Sequence, residues 1–194
     1  MTGGIMPKNI LIVVGSPREN GNSEILANEV ARGARDISGA NVQIFNLYKL
    51  AIRPCIACEV CRLENSTGCV IKDDMQMLYP KLVEADTVVI ASPIYFKSVS
   101  AQTKLFIDRF YCLIGTNRNN ALAGKRFGII LVYANVDPYV SGCVNAIRMF
   151  QDIFEYIGAE IVEIIYGRAH KAGAARTDQE LMQKAYNLGV KIGS

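Results

Sequence analysis

Asn9-Ile10-Leu11-Ile12-Val13-Val14-Gly15-Ser16-Pro17-Arg18-Glu19-Asn20-Gly21-Asn22-Ser23 decides the fold. Its first six residues form a short apolar run, rich in Ile and Val and stopped by turn residues. Such a run is a buried parallel strand. Beyond the polar turn, Ile25, Leu26, Val30, Ala34 and Ile37 recur at helical spacing. Ser23 is placed to cap that helix and Gly39 to end it. Strand, glycine turn and helix begin a βαβ unit, and the rest of the chain repeats the theme. Thr87–Ala91, Phe127–Tyr133 and Ile161–Tyr166 read as three more buried strands. Asn41–Asn46 alternates apolar and polar residues, as a half-exposed edge strand does. Residues 100–114 and 140–157 carry helical apolar stripes, the second stopped by Gly158, and Thr177-Asp178-Gln179-Glu180 reads as a capping box for a last helix. Residues 73–85 also read as helical, with Pro80 expected to kink or divide them. The expected fold is α/β, a doubly wound three-layer sandwich on a five-stranded parallel sheet of order 2-1-3-4-5. In such a sheet ligands sit beyond the carboxyl ends of the strands, near the switch point.

The 194 residues predict one domain, 1–194, with a cysteine-rich loop at about 47–72. A chain of this size buries roughly 70% of its unfolded surface. A hydrophobic fraction of 51% against 20% charged residues excludes disorder. The net charge of +3 is too small and too dispersed to argue for nucleic acid. No apolar run reaches the ~18 residues that span a bilayer. Met1–Pro7 lacks a basic stretch followed by an apolar one, so no signal peptide and a cytoplasmic location are expected. The lone histidine, His170, excludes multi-histidine metal sites. It reads as a solvated loop residue.

The turn after the first strand is rich in donors. Ser16 and Ser23 bring hydroxyls, Asn22 an amide and Arg18 a charge, and the following helix presents unpaired backbone amides. Gly15 and Gly21 let the backbone bend tightly. Neither familiar phosphate loop fits: Asn22 stands where a Walker loop needs Lys, and no Gly-x-Gly-x-x-Gly is present. A terminal phosphate monoester suits this donor set better than a magnesium triphosphate. The plain alternative is a polar turn that merely caps the helix.

Gly15-Ser16-Pro17-Arg18-Glu19-Asn20-Gly21-Asn22-Ser23 resembles the FMN-phosphate loop of flavodoxin-like NAD(P)H-dependent FMN reductases. The likeness continues through Ser92-Pro93-Ile94-Tyr95-Phe96, Ser98-Val99-Ser100-Ala101-Gln102, Lys104 and Phe106-Ile107-Asp108-Arg109, and spans residues 8 to about 165. It implies that Ser16, Arg18, Asn20, Gly21, Asn22 and Ser23 hold the FMN phosphate. It further implies that Pro93, Ile94, Tyr95 and Phe96 run along the isoalloxazine ring, whose flat apolar face suits aromatic neighbours. Lys97 departs from the small residue expected there, and either narrows the pocket or places a cation near the flavin edge. The segment Ala134–Tyr139 lacks the glycine pair common in relatives, yet Asn135 remains a donor for the flavin's pyrimidine side.

Cys55, Cys58, Cys61 and Cys69 fall in one loop with the spacing Cys-x2-Cys-x2-Cys-x7-Cys. Dense cysteines in a reducing compartment point to metal or redox work. Three cysteines three apart plus a fourth are the ligand run of an iron–sulfur cluster, whereas zinc sites more often use two separated Cys-x2-Cys pairs. Zinc and free redox thiols both stay open on spacing alone. Cys112, on an apolar helix face, and Cys143 read as packing residues. With the flavin loops, the cysteine motif and Asp73-Asp74-Met75 resemble the iron–sulfur flavoproteins. That resemblance implies a flavin-dependent oxidoreductase in which FMN and a 4Fe–4S cluster exchange electrons, and implies Cys55, Cys58, Cys61 and Cys69 as the ligands. It also implies a homodimer or homotetramer; NAD(P)H, a ferredoxin, a quinone and oxygen are the candidate redox partners. The alternative is an NAD(P)H-dependent FMN or quinone reductase without a cluster.

Overall fold

The computed structural model describes residues 7–114 and 120–194. Most of the Met1–Pro7 stretch read above for a targeting signal lies outside them. Strands β1 (Asn9–Val14), β2 (Asn41–Asn46), β3 (Thr87–Tyr95), β4 (Ser98–Val99), β5 (Arg126–Tyr133) and β6 (Glu160–Arg168) form one sheet. Five are parallel in the order β2-β1-β3-β5-β6, and β4 pairs antiparallel with the end of β3. The expected order therefore holds, with a sixth, two-residue strand added by a hairpin.

The strands alternate sides, which produces two cores. Ile10, Ile12, Val14, Val89 and Ile130 face helices α1 (Asn22–Ser38) and α6 (Gln179–Gly193). Leu11, Val13, Val88, Ile90, Ile129 and Leu131 face α2 (Met75–Glu84), α3 (Ala101–Asp108) and α5 (Cys143–Ile157). On that second face Phe127 stacks on Phe154 with ring centres 4.2 Å apart. Both faces of the central strands are thus covered, which is why they read as unbroken apolar runs. Among the described residues no helix is long and apolar enough to cross a membrane.

Several helix boundaries differ from expectation. Gly21, not Ser23, occupies the N-cap of α1, with no side-chain cap bond. Gly39 closes that helix in the left-handed conformation, as expected. Helix α2 runs through Pro80 undivided; the proline lies on its exposed face, where the carbonyl that loses its donor can meet water. The stripe over 100–114 is α3 followed by a 3-10 turn, Arg109–Leu113. The stripe over 140–157 is broken at Gly142 between the short helix α4 (Pro138–Ser141) and α5. Asp178 caps α6 by accepting from Leu181 N, while the Thr177 hydroxyl turns back to the Ala174 carbonyl.

Candidate functional site

The carboxyl ends of β1, β3, β5 and β6 converge on one side of the sheet. Gly15 N donates to Ala91 O at 2.8 Å, carrying the β1–β3 pairing one residue past the strand. Ser100, the N-cap of α3, donates its hydroxyl to Gly15 O at 2.6 Å, and Ser100 N donates to Ser92 Oγ at 3.1 Å. A Cβ on Gly15 would stand 1.9 Å from Thr103 Oγ1, so only glycine permits this approach of the turn to α3.

An open cleft lies over this junction. Ser16, Arg18, Asn22 and Ser23 line it from the first turn, Pro93, Ile94 and Tyr95 from β3, and Ala169, His170 and Ala172 from the segment after β6. Phe96 and Asn135 line an adjoining cleft that shares Ile94, Ala134 and His170 with the first. Of the residues expected at the phosphate, Asn20 and Gly21 shape the turn rather than line the cleft. Asn20 takes a left-handed conformation and donates its N–H to Glu24 Oε2 at 2.7 Å; Gly21 N donates to Arg18 O.

The donors on this wall are those an oxyanion needs. The first helical amide bond of α1 runs from Ile25 N to Gly21 O, so the amides of Asn22, Ser23 and Glu24 precede the ladder, with no side chain capping them. Ser16 and Ser23 are almost fully buried. Ser16 Oγ accepts from Arg18 N and keeps its own proton to give, and among the described residues the Ser23 hydroxyl has no partner. Placing Ser23 inside the helix rather than at its cap is what leaves that hydroxyl free. The Asn22 side chain is engaged elsewhere: its amide donates to Ala169 O and Lys171 O, and its carbonyl accepts from Ala175 N. It fastens the segment after β6 to the first turn, so only its backbone N–H is available to a ligand.

The hairpin between β3 and β4 turns through Phe96 and Lys97, both at positive φ (49° and 73°) without a glycine. Phe96 is fully exposed at the lip. The Lys97 ammonium donates to the Val140 carbonyl, and Asn145 Nδ2 donates to Lys97 O at 3.2 Å. Gly142, itself at φ 80°, faces the same turn, where a Cβ would stand 2.5 Å from Lys97 Cα. Lys97 therefore ties the hairpin to α4. His170 is an exposed loop residue, as expected; it also lines both clefts, and its carbonyl accepts from Arg18 Nη1.

A second, narrow pocket lies in the loop between β2 and α2. Cys55, Cys58, Cys61 and Cys69 all line it, joined by Cys112 and Arg109. Cys112 is thus half-buried beside the other thiols, in the 3-10 turn, rather than a core residue on a helix face. Cys143 is fully buried in the core, as expected. Ala57 and Glu59 both adopt left-handed φ, 51° and 57°, and wind the chain tightly on either side of Cys58. Among the described residues no three His, Cys, Asp or Glu side chains stand at metal-holding geometry.

The floor of this pocket escaped the sequence reading. Arg109 and Asp73 form an ion pair, Nη1 to Oδ2 at 2.6 Å, with 1% and 3% of the side chains exposed. Arg109 Nη2 donates to Cys69 Sγ at 3.3 Å. Burial alone would raise the Asp73 pKa; bonds from Arg109, Arg53 N and Met75 N outweigh it and hold the carboxyl below its ordinary range. Burial likewise opposes ionisation of Cys69, but hydrogen bonds from Ile71 N and Tyr79, with the Arg109 charge and bond, bring its thiol down. Cys61 goes up, through burial and the neighbouring thiols. Cys112 is pushed up to about 11 by burial, with Cys61 and Cys69 adding. Four sulfurs line this pocket with an N–H donor behind Cys69, a donor set that suits a thiophilic metal. Asp73 and Arg109 both stood in quoted motifs, but their pairing across 36 positions leaves no local signal.

The NAD(P)H:quinone oxidoreductase from Methanothermobacter marburgensis has this fold, with a TM-score of 0.77 at 14% identity over 96% of both chains. A flavodoxin from the domain Archaea gives 0.58 at 15% identity, over 95% of this chain and 96% of its own. The sandwich is flavodoxin-like, and sequence and fold together define a flavin-dependent oxidoreductase. More particularly, the chain belongs to the NADPH-dependent FMN reductase family, whose sequence profile matches residues 8–192. An iron-sulfur flavoprotein of Methanocaldococcus jannaschii is 34% identical over 189 residues, covering 94% of each chain. Another, from Archaeoglobus fulgidus, is 31% identical over 182 residues, covering 93% of this chain and 76% of its own.

Proposed function

We propose that the protein passes electrons between FMN and a 4Fe–4S cluster, with a nicotinamide or a quinone as exchanging substrate and a ferredoxin as a further redox partner. The observation that carries this reading is the cysteine pocket: four thiols of one loop line one cavity on a flavin-dependent chain. The iron-sulfur flavoprotein names of the two relatives support it. FMN supplies hydride and single-electron chemistry, and a cluster carries one electron at a time.

The chain's own residues bind and orient. Ser16, Ser23, Arg18 and the first amides of α1 hold the phosphate, while Asn20 and Gly21 bend the backbone around it. Pro93, Ile94 and Tyr95 give the ring an apolar wall, and Phe96 covers its edge. Asn135 Oδ1 accepts from Val136 N, which leaves its amide as a donor toward the pyrimidine side. Cys55, Cys58, Cys61 and Cys69 ligate the cluster. Phe96, Val136 and Tyr139, all exposed, support pairing of copies at the lip as a homodimer or homotetramer.

An anaerobic reductive titration tests the reading. About three electrons per chain are expected, two for FMN and one for the cluster. Uptake of only two would contradict it and favour a reductase without a cluster.

A further inference from the structure

We propose that Arg109 is the positioning residue of the cysteine centre, directing one guanidinium N–H at Cys69 Sγ and thereby setting the aim of that ligand and the reduction potential of the iron–sulfur group. The proposal rests on the cluster reading above.

A guanidinium has five N–H donors, and all five of Arg109 have an acceptor. Nε donates to Tyr79 Oη at 3.2 Å. Nη1 donates to Arg53 O at 2.9 Å and Asp73 Oδ2 at 2.6 Å. Nη2 donates to Asp73 Oδ1 and Cys69 Sγ, both at 3.3 Å. Asp73 is itself fixed, accepting from Arg53 N at 2.9 Å and Met75 N at 3.1 Å. The fork therefore has one orientation, and the bond to Cys69 is a consequence of that orientation.

Asp73 balances the buried Arg109 charge, so the N–H aimed at Cys69 Sγ is the bond that answers to the charge on the sulfur. A neutral thiol accepts that bond weakly; a sulfur carrying the charge of a reduced cluster accepts it much more strongly. Hydrogen bonds to ligand sulfur favour the reduced, more negative state and so raise the potential. The backbone of Cys69 is pinned as well, because Gln76 Nε2 donates to Cys69 O and Ile71 O. Ligand, donor and donor's anchor thus form one rigid unit.

Arg109→Lys keeps a charge beside Asp73 but loses the fork. Iron and FMN contents should match the parent, and the flavin potential should not move. The cluster potential should fall so that its one-electron reduction equilibrium drops about tenfold (59 mV for one electron). An iron-loaded variant titrating at the parent's potential overturns the proposal while leaving the cluster reading intact. If the variant loses its iron, the parent decides: with 15N-arginine, pulsed EPR of its reduced cluster should show coupling to an arginine nitrogen. Absence of that coupling overturns the proposal. An anaerobically isolated parent without iron overturns this proposal and the cluster reading together, and the iron assay separates that case from the others.

Discussion

Arg109 Nη1 lies 2.6 Å from Asp73 Oδ2, in an ion pair almost closed to solvent. It joins the end of α3 to the start of α2 beneath the cysteine pocket. Two charges withdrawn from water in this way are stable only together. Asp73→Ala should therefore destabilise the fold by about 3–5 kcal/mol, because it leaves the guanidinium unpaired. Urea denaturation of the apoprotein measures this; a loss under 1 kcal/mol would show the pair to be structurally idle. The sign with pH follows from the lowered Asp73 pKa. The pair's contribution is complete above the unfolded carboxyl value of about 3.9 and is lost as pH falls through the lower folded value. In Asp73→Ala that part of the acid-side loss should vanish.

The turn after β1 should discriminate by phosphate. Ser23→Ala combined with Arg18→Ala removes a hydroxyl and a charge from the cleft wall while leaving the apolar side intact. FMN affinity should fall at least tenfold, since bonds to a charged partner are worth about 1.5–3 kcal/mol each, with riboflavin binding little changed. Equal losses for both ligands in fluorescence titrations would place the phosphate elsewhere.

Cys58 sits between two left-handed residues, Ala57 and Glu59, at the tightest point of its loop. Cys58→Ala should abolish the broad iron–sulfur absorbance and keep the flavin bands. Parent-level iron in the variant would remove Cys58 from the ligand set.

Phe96 stands fully exposed on a strained turn at the lip of the cleft. The proposed pairing of copies at this lip would cover it, together with Val136 and Tyr139. Phe96→Asp should shift the assembly toward monomer in light scattering after size exclusion. An unchanged mass would move the interface away from this lip.

Much of the frame was legible because local chemistry and tertiary fold agree. Asn9–Val14 and Asn41–Asn46 are strands with the expected bounds, and Gly39 and Gly158 end their helices through φ values only glycine adopts easily. The disagreements arise where tertiary contacts decide. The apolar run ends at Ala91, whereas strand β3 continues to Tyr95 through Pro93, a residue that cannot donate to a ladder. The pairing of β3 with β1 ends at Ala91, so beyond that point one side of β3 has no strand needing the missing N–H. The hairpin at Phe96 and Lys97 has no Gly or Asn to announce it. It is held by Val140, Gly142 and Asn145, more than forty residues away. In the site, the donor-rich turn and the cysteine run were visible because their residues are close in sequence. His170 and the Arg109–Asp73 pair were not, since only the fold brings them to their pockets.

Joint occupancy of the two pockets is the claim on which the account depends. The direct test is a cofactor count on anaerobically purified protein: iron, acid-labile sulfide and FMN per chain, read with the visible spectrum. About four iron, four sulfide and one FMN are predicted. One FMN with no iron or sulfide, after anaerobic isolation and attempted reconstitution, would contradict it.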